Sequence, residues 1–295
     1  MFWNLWLTEE LKLYRRPLVW ICFLLLTGIL FSDVLGQYLA ADHTQSGSST
    51  SIMIDGQAPE RPAPSASQHT PQRSTWPTAF VHSLELLRQY SWLIVIVIVG
   101  GTTAQEYLWR VPHFLLSRGV PRLTYLGSRF AAFLLPVLGT VLLPLLSSAF
   151  LSAFCTQALL GVLDIHSVNF TQLVVSVLAT GYSLLPYTSL ALLLAIVGRS
   201  FILPIGGGIA FVVIENLAYE SGISLARYLP YTLGAGVARL YERIPATALP
   251  DSSAAQRFVP LEVLGIGPSL FGVLIWSGLL LGLAVIIFLK KDLPE

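Results

Sequence analysis

Residues 268–289 read PSLFGVLIWSGLLLGLAVIIFL, from Pro268 to Leu289 without one charged side chain. A helix needs about 20 residues to cross the hydrocarbon core of a bilayer, and this stretch supplies them. Its apolar residues do not alternate with polar ones, so it does not read as a half-exposed strand. Lipid offers the backbone no hydrogen-bond partner, and a helix satisfies every N–H and C=O within the segment.

Working outward, five more stretches pass the same test: residues 18–39, 86–103, 128–154, 173–197 and 201–218. The second is strongest in the run Trp92-Leu-Ile-Val-Ile-Val-Ile-Val99. Only Gly198-Arg199-Ser200 separates the fourth from the fifth, which predicts a tight hairpin with one arginine at its tip. Pro136, Pro144 and Pro186 predict kinked helices. Composition agrees: 54% of the 295 residues are hydrophobic and 11% are charged, against about 25% charged in an ordinary soluble domain. A chain of this kind cannot furnish a charged skin. The expected fold is all-α, a polytopic membrane protein with six transmembrane helices.

A net charge of +1 gives no basic excess for a nucleic-acid partner. Cys22 and Cys155 lie in or beside apolar stretches and read as small core residues. The first apolar stretch follows Glu9 and Glu10 and ends in no small-residue cleavage site, so it reads as a retained span and not as a signal peptide.

Orientation follows from Arg and Lys in the short loops. With the N-terminus in the cytoplasm, the inner side holds Lys12, Arg15, Arg16, Arg110, Arg118, Arg122, Arg129, Arg199, Lys290 and Lys291. The outer side holds Arg61, Arg73, Arg88, Arg227, Arg239, Arg243 and Arg257, mostly in two long segments where the rule weakens. An even number of spans places both termini in the cytoplasm.

Residues 1–16 form the first of four segments outside the spans. Trp3, Trp6, Leu7, Leu11 and Tyr14 fall at helical spacing there, which predicts an amphipathic helix lying in the headgroup plane before Pro17 turns the chain into the bilayer. Residues 41–78 are rich in Ser, Thr, Pro, Gln and Gly and read as a flexible outer loop. His43, His69 and His82 lie in or just after it, at a spacing that fits no metal-ligand motif. Residues 219–262 carry Tyr219, Tyr228, Tyr231 and Tyr241, with an amphipathic run from Leu233 to Ile244. They read as short helices packed on or dipping into the outer face, with an ordinary structured loop as the alternative.

Residues 104–125 are the most informative of the four. They are basic, yet they hold Tyr107, Leu108, Trp109, Phe114 and Leu115. A short loop joining two spans has no need of such residues, so they should cover a bilayer surface or another protein. Pro112 and Pro121 bound a short helix around Phe114–Ser117, and Gly119 offers a stop.

Soluble-enzyme chemistry is missing from the sequence. There is no G-x-x-x-x-G-K-[ST], H-E-x-x-H or G-x-S-x-G, and Gly206-Gly-Gly208 lies inside a span. The chain is therefore read as no enzyme, with no metal site and no cofactor of its own. Asp33 and Glu215 are acids within spans, hence pathway candidates, although both lie toward the outer ends.

The layout resembles the membrane subunit of ABC-2 type transporters, the permease of bacterial ABC exporters encoded apart from its ATPase. Three stretches carry the resemblance. One is Leu11-Lys-Leu-Tyr-Arg15-Arg16-Pro17. Another is Glu106, followed by Leu115-Leu-Ser-Arg118-Gly-Val-Pro121-Arg122 and Gly127-Ser-Arg129. The third is Phe288-Leu-Lys290-Lys291-Asp292-Leu293. Two features depart from the family pattern: Trp109-Arg110 stands where Gly-Thr is common, and the 41–78 loop is long.

The resemblance implies an ATP-driven exporter in the bacterial cytoplasmic membrane. Its pathway is formed with a second, identical or different permease subunit, and two ATPase subunits below hydrolyse the ATP. It also implies that residues 104–125 are a coupling helix. Leu108, Trp109, Phe114 and Leu115 would enter a cleft on the ATPase beside Glu106, with Arg110, Arg118 and Arg122 at the rim. Residues 219–262 would gate the exit. The alternatives from other classes are a secondary transporter or channel without an ATPase, and a membrane scaffold or assembly protein.

Overall fold

The computed structural model describes residues 2–47, 78–160, 170–238 and 264–290. Among them all regular structure is helical: α1 (Phe2–Tyr14), α2 (Pro17–Gly47), α3 (Thr78–Leu108), α4 (Val111–Ser117), α5 (Arg122–Leu160), α6 (Phe170–Ser183), α7 (Leu185–Gly198), α8 (Ile202–Glu220), α9 (Pro230–Ala238) and α10 (Ile266–Lys290), with a 3₁₀ turn at Ser224–Tyr228. Six spans are long and apolar enough to cross a membrane: Pro17–Gly36, His82–Leu108, Arg122–Ala158, Leu173–Gly198, Ile202–Glu220 and Ile266–Lys290. This is the architecture of a multi-pass membrane protein.

The distribution of polarity supports the same reading. Leu24, Phe150, Ile202, Phe271 and Ile275 are exposed, while Ser91, Thr102, Glu106, Arg129, Thr188 and Glu215 are buried. A protein folded in water would turn such large apolar side chains inward.

Two helix boundaries differ from expectation, while the fourth span, Leu173–Gly198, breaks at the expected proline: α6 ends at Ser183 and α7 starts at Leu185 with Pro186 in its first turn. Proline has no N–H to donate and disfavours helical backbone at the residue before it. The break is therefore encoded by Pro186, whereas α5 runs unbroken in its assignment through Pro136 and Pro144. The helix that carries the first span runs beyond it, since the apolar span ends at Gly36 while α2 reaches Gly47, inside the 41–78 segment. Finally, the loop after the second span is shorter than residues 104–125. The α3 helix extends to Leu108 and α5 begins at Arg122, so α4 and its two corners are what remain between them.

Residues 48–77, 239–263 and 291–295 lie outside the described residues. With them go most of the 41–78 loop, the end of the 219–262 segment with Tyr241, and the Lys291-Asp292-Leu293 ending.

The innermost element is α7, buried at every residue from Pro186 to Leu193 and packed against α3, α8 and α10. On the other side α5 packs against α1, α2 and α3. Helix α1 and the end of α10 both pack on the first turns of α5. Phe288 of α10 stacks on Tyr125 of α5 at 6.0 Å, and Arg122 donates to the Leu289 carbonyl at 2.8 Å. Arg129 of α5 pairs with Glu9 of α1 at 2.8 Å.

Candidate functional site

Helix α1 lies on the bundle with an unexpected face inward. Trp3, Leu7, Leu11 and Tyr14 are exposed, whereas Glu9, Glu10 and Leu13 are buried. The apolar residues face outward, as a helix in a lipid headgroup layer requires. Glu9 faces inward onto Arg129 of α5, and Arg16, in the link between α1 and α2, reaches Glu106 of α3.

Those cations form a buried ion network. The Arg129 guanidinium, 2% exposed, donates to Glu9 Oε2 at 2.8 Å, to Glu106 Oε2 and to Thr103 Oγ1 at 3.5 Å. Arg16 donates to Glu106 Oε1 and to the Thr102 carbonyl, both at 2.8 Å. Tyr125 adds its hydroxyl to Glu106 Oε2 at 3.3 Å, and Lys12 pairs with Glu9 at 2.7 Å. In the buried part of the network two carboxylates face two guanidiniums, with the half-exposed Lys12 ammonium at its edge. Planar, forked guanidinium groups suit this task, since one arginine can reach two carboxylates. Burial lowers the Arg16 pKa from its ordinary value, with Glu106 opposing the shift; an arginine stays charged regardless.

Glu10, next to Glu9, faces inward differently. It is buried, and neither carboxylate oxygen has a hydrogen-bond partner. Desolvation pushes its pKa up to about 7 from the ordinary 4.5.

From this network the chain leads to an exposed aromatic corner. Arg16 lies over the Trp109 ring at 5.8 Å, and Trp109 is 63% exposed. Arg110 then turns the chain from α3 into α4 in left-handed backbone, φ 56°. Such backbone is uncommon for a residue with a side chain and marks a corner held by its surroundings. Phe114, 55% exposed, is covered on one face by the Arg118 guanidinium at 4.0 Å. Gly119, φ 80°, ends the turn after α4 where a side chain would be strained. Trp109, Arg110, Val111, His113, Phe114 and Ser117 line an open depression of about 570 Å³.

The site residues expected from sequence therefore divide. Leu108, Trp109, Arg110, Phe114 and Arg118 are exposed at the α3–α4 corner. Leu115 is half-buried and packs against the core. Arg122 ties α5 to α10. Glu106 is on none of these surfaces: it is buried, the shared partner of Arg16 and Arg129.

Glu9, Arg16 and Arg129 were not among the expected site residues. The available signal was a pair of acids in α1 placed three or four residues from Trp6 and Leu13, opposite the aromatic anchors. An acid turned inward either meets a buried cation, as Glu9 does, or stays without a partner, as Glu10 does.

The two pathway candidates lie at the opposite end of the bundle and apart from each other. Asp33 of α2 pairs with His82 of α3 at 3.3 Å, both partly exposed, and His82 also reaches Glu85 at 3.7 Å. The side chain of His43 and the whole of His69 lie outside the described residues. Glu215 of α8 is 1% exposed; it accepts from the Tyr187 hydroxyl of α7 at 3.0 Å and from the Tyr231 N–H of α9 at 3.4 Å. No protein-family model matches this chain, and no curated protein matches it.

Proposed function

We propose that the chain is the permease subunit of an ATP-driven ABC-2 type exporter, and that the α3–α4 corner docks on a separate ATPase subunit. One observation carries the reading. The exposed Trp109 is joined through Arg16 to Glu106, and through Glu106 and Arg129 to Glu9. An aromatic contact surface is thereby coupled to α1, the start of α2, α3 and α5. A force on Trp109 and Phe114 is transmitted to several spans at once, because the ion network cannot give way at one residue without stranding a buried charge.

In this reading the ATPase partners clamp α4 from two sides of a permease dimer, and nucleotide-driven closure tilts the spans attached to the network. The corner has the composition of a docking surface, with aromatic anchors and a rim of arginines. It lies in the cytoplasm, at the end of the bundle where Lys12, Arg15, Arg118, Arg122 and Lys290 gather. The chain itself carries no nucleotide, and the cargo passes between its spans and those of a second permease subunit.

The test is affinity purification of the tagged full chain from its own host membranes. A co-purifying subunit with a Walker-A motif is expected, and a Trp109→Asp, Phe114→Asp chain should fold normally but lose it. Both substitutions sit on exposed side chains, so they do not disturb the core. If the parent chain retains no such ATPase, the reading fails. A cysteine placed in 45–75 checks the orientation, and labelling of it only after membrane disruption would overturn the topology.

A further inference from the structure

The Glu215 carboxylate is as deeply buried as Glu106, yet no arginine or lysine among the described residues pairs with it. Its donors are of another kind. One is the Tyr187 hydroxyl from the innermost helix, α7. The other is the backbone N–H of Tyr231 in the first turn of α9. The first N–H groups of a helix have no partner within it, and the helix dipole adds partial positive charge at that end. Pro230 has already removed one of those donors. A carboxylate aimed at this turn supplies what the start of α9 lacks. At 3.4 Å this is the weaker of the two contacts, the Tyr187 hydroxyl lying at 3.0 Å.

Helix α9 is a short, separate piece seated among its neighbours. It spans Pro230–Ala238, and Thr232, Leu233, Gly234, Gly236, Val237 and Ala238 are buried. It packs between α6 and α10. Its entry is pinned by the Trp276 indole N–H, which donates to the Tyr228 carbonyl at 2.7 Å, and by the Tyr219–Tyr231 edge contact at 5.8 Å. A helix this short has little stability of its own and depends on such anchoring.

We infer that Glu215 is the positioning residue of α9: through Tyr187 and the first turn of α9 it latches this short helix to the central span, and loss of the latch frees α9 while the rest of the bundle stays closed. None of this depends on an ATPase partner, and it is read on the chain alone.

The experiment uses the full chain in detergent with Cys22 and Cys155 replaced by Ala. A Leu233→Cys probe reports on the buried face of α9, and a Leu192→Cys probe reports on α7; each is labelled with a small water-soluble maleimide. Glu215→Ala should speed labelling at 233 by about threefold to tenfold, the effect of losing a buried hydrogen bond in a local opening. Labelling at 192 should stay slow. Glu215→Gln keeps an acceptor and should fall between the parent and Glu215→Ala. Should Glu215→Ala expose 192 as well, Tyr187→Phe decides, because it removes one donor from the latch and keeps the ring. It should speed labelling at 233 alone. Unchanged labelling at 233 in Tyr187→Phe, or in a Glu215→Ala chain whose 192 stays protected, overturns the assignment.

Discussion

Arg129 of α5 and Glu9 of α1 lie 2.8 Å apart, both almost wholly buried, although 120 positions separate them in the chain. The pair fastens α1 to α5 beside the buried Leu13. Arg129 also holds Glu106, so one guanidinium joins α1, α3 and α5. Its face lies over the Phe133 ring at 5.2 Å, which fixes the plane of the fork.

Replacing Arg129 should be among the most destabilising single changes in this chain. Arg129→Met leaves Glu9 and Glu106 buried with one cation fewer, and breaking a buried pair from one side costs about 3–5 kcal/mol. Arg129→Lys should restore only part of this, because an ammonium cannot reach two carboxylates as a planar fork does. Thermal unfolding in detergent measures both. A Met variant within about 0.5 kcal/mol of the parent, the range of ordinary surface changes, would remove the network from any structural role.

Glu10 predicts a pH dependence of opposite sign to that of a paired acid. Its folded pKa of about 7 stands above the ordinary 4.5, so the folded chain holds the proton more tightly than the unfolded chain. The resulting stability is fully present below about pH 4.5 and is lost as pH rises through about 7. Glu10→Gln should flatten that part of the stability profile and leave the low-pH end unchanged. Unfolding midpoints of parent and variant across this window provide the comparison, and parallel curves would show that Glu10 does not titrate there.

Much of the fold was legible because the bilayer imposes one rule, about 20 apolar residues in helical form. That rule located all six spans, and Pro186 marked the place where the fourth breaks. The ion network was less legible because its members lie far apart in the chain: Glu9 and Arg16 before the first span, Glu106 ending the second and Arg129 opening the third. Each alone reads as an interfacial charge that water could solvate. Only the packing of α1 on α5 excludes that water. The exposed Trp109 and Phe114 were legible for the converse reason, since large aromatics in a short basic loop have no core to enter.

The seam between α3 and α8 gives a prediction that involves no charge. A methyl group added at Gly100 would lie 2.6 Å from Pro204 Cβ, and one added at Gly208 would lie 2.7 Å from Ile96 Cγ2. Both contacts are closer than packed carbons approach, so at each glycine a side chain of the facing helix rests directly on the backbone, the close approach that small residues allow between membrane helices. Gly206 lies on the same helix with nothing within 4 Å of such a methyl group. Gly100→Ala should therefore destabilise by about 1–3 kcal/mol through overpacking, partly offset by better helix propensity. Gly206→Ala should be neutral or stabilising by up to about 1 kcal/mol, because only the propensity changes. Denaturant titration in mixed micelles separates the two. Equal effects at both glycines would mean that α3 and α8 do not meet along this seam.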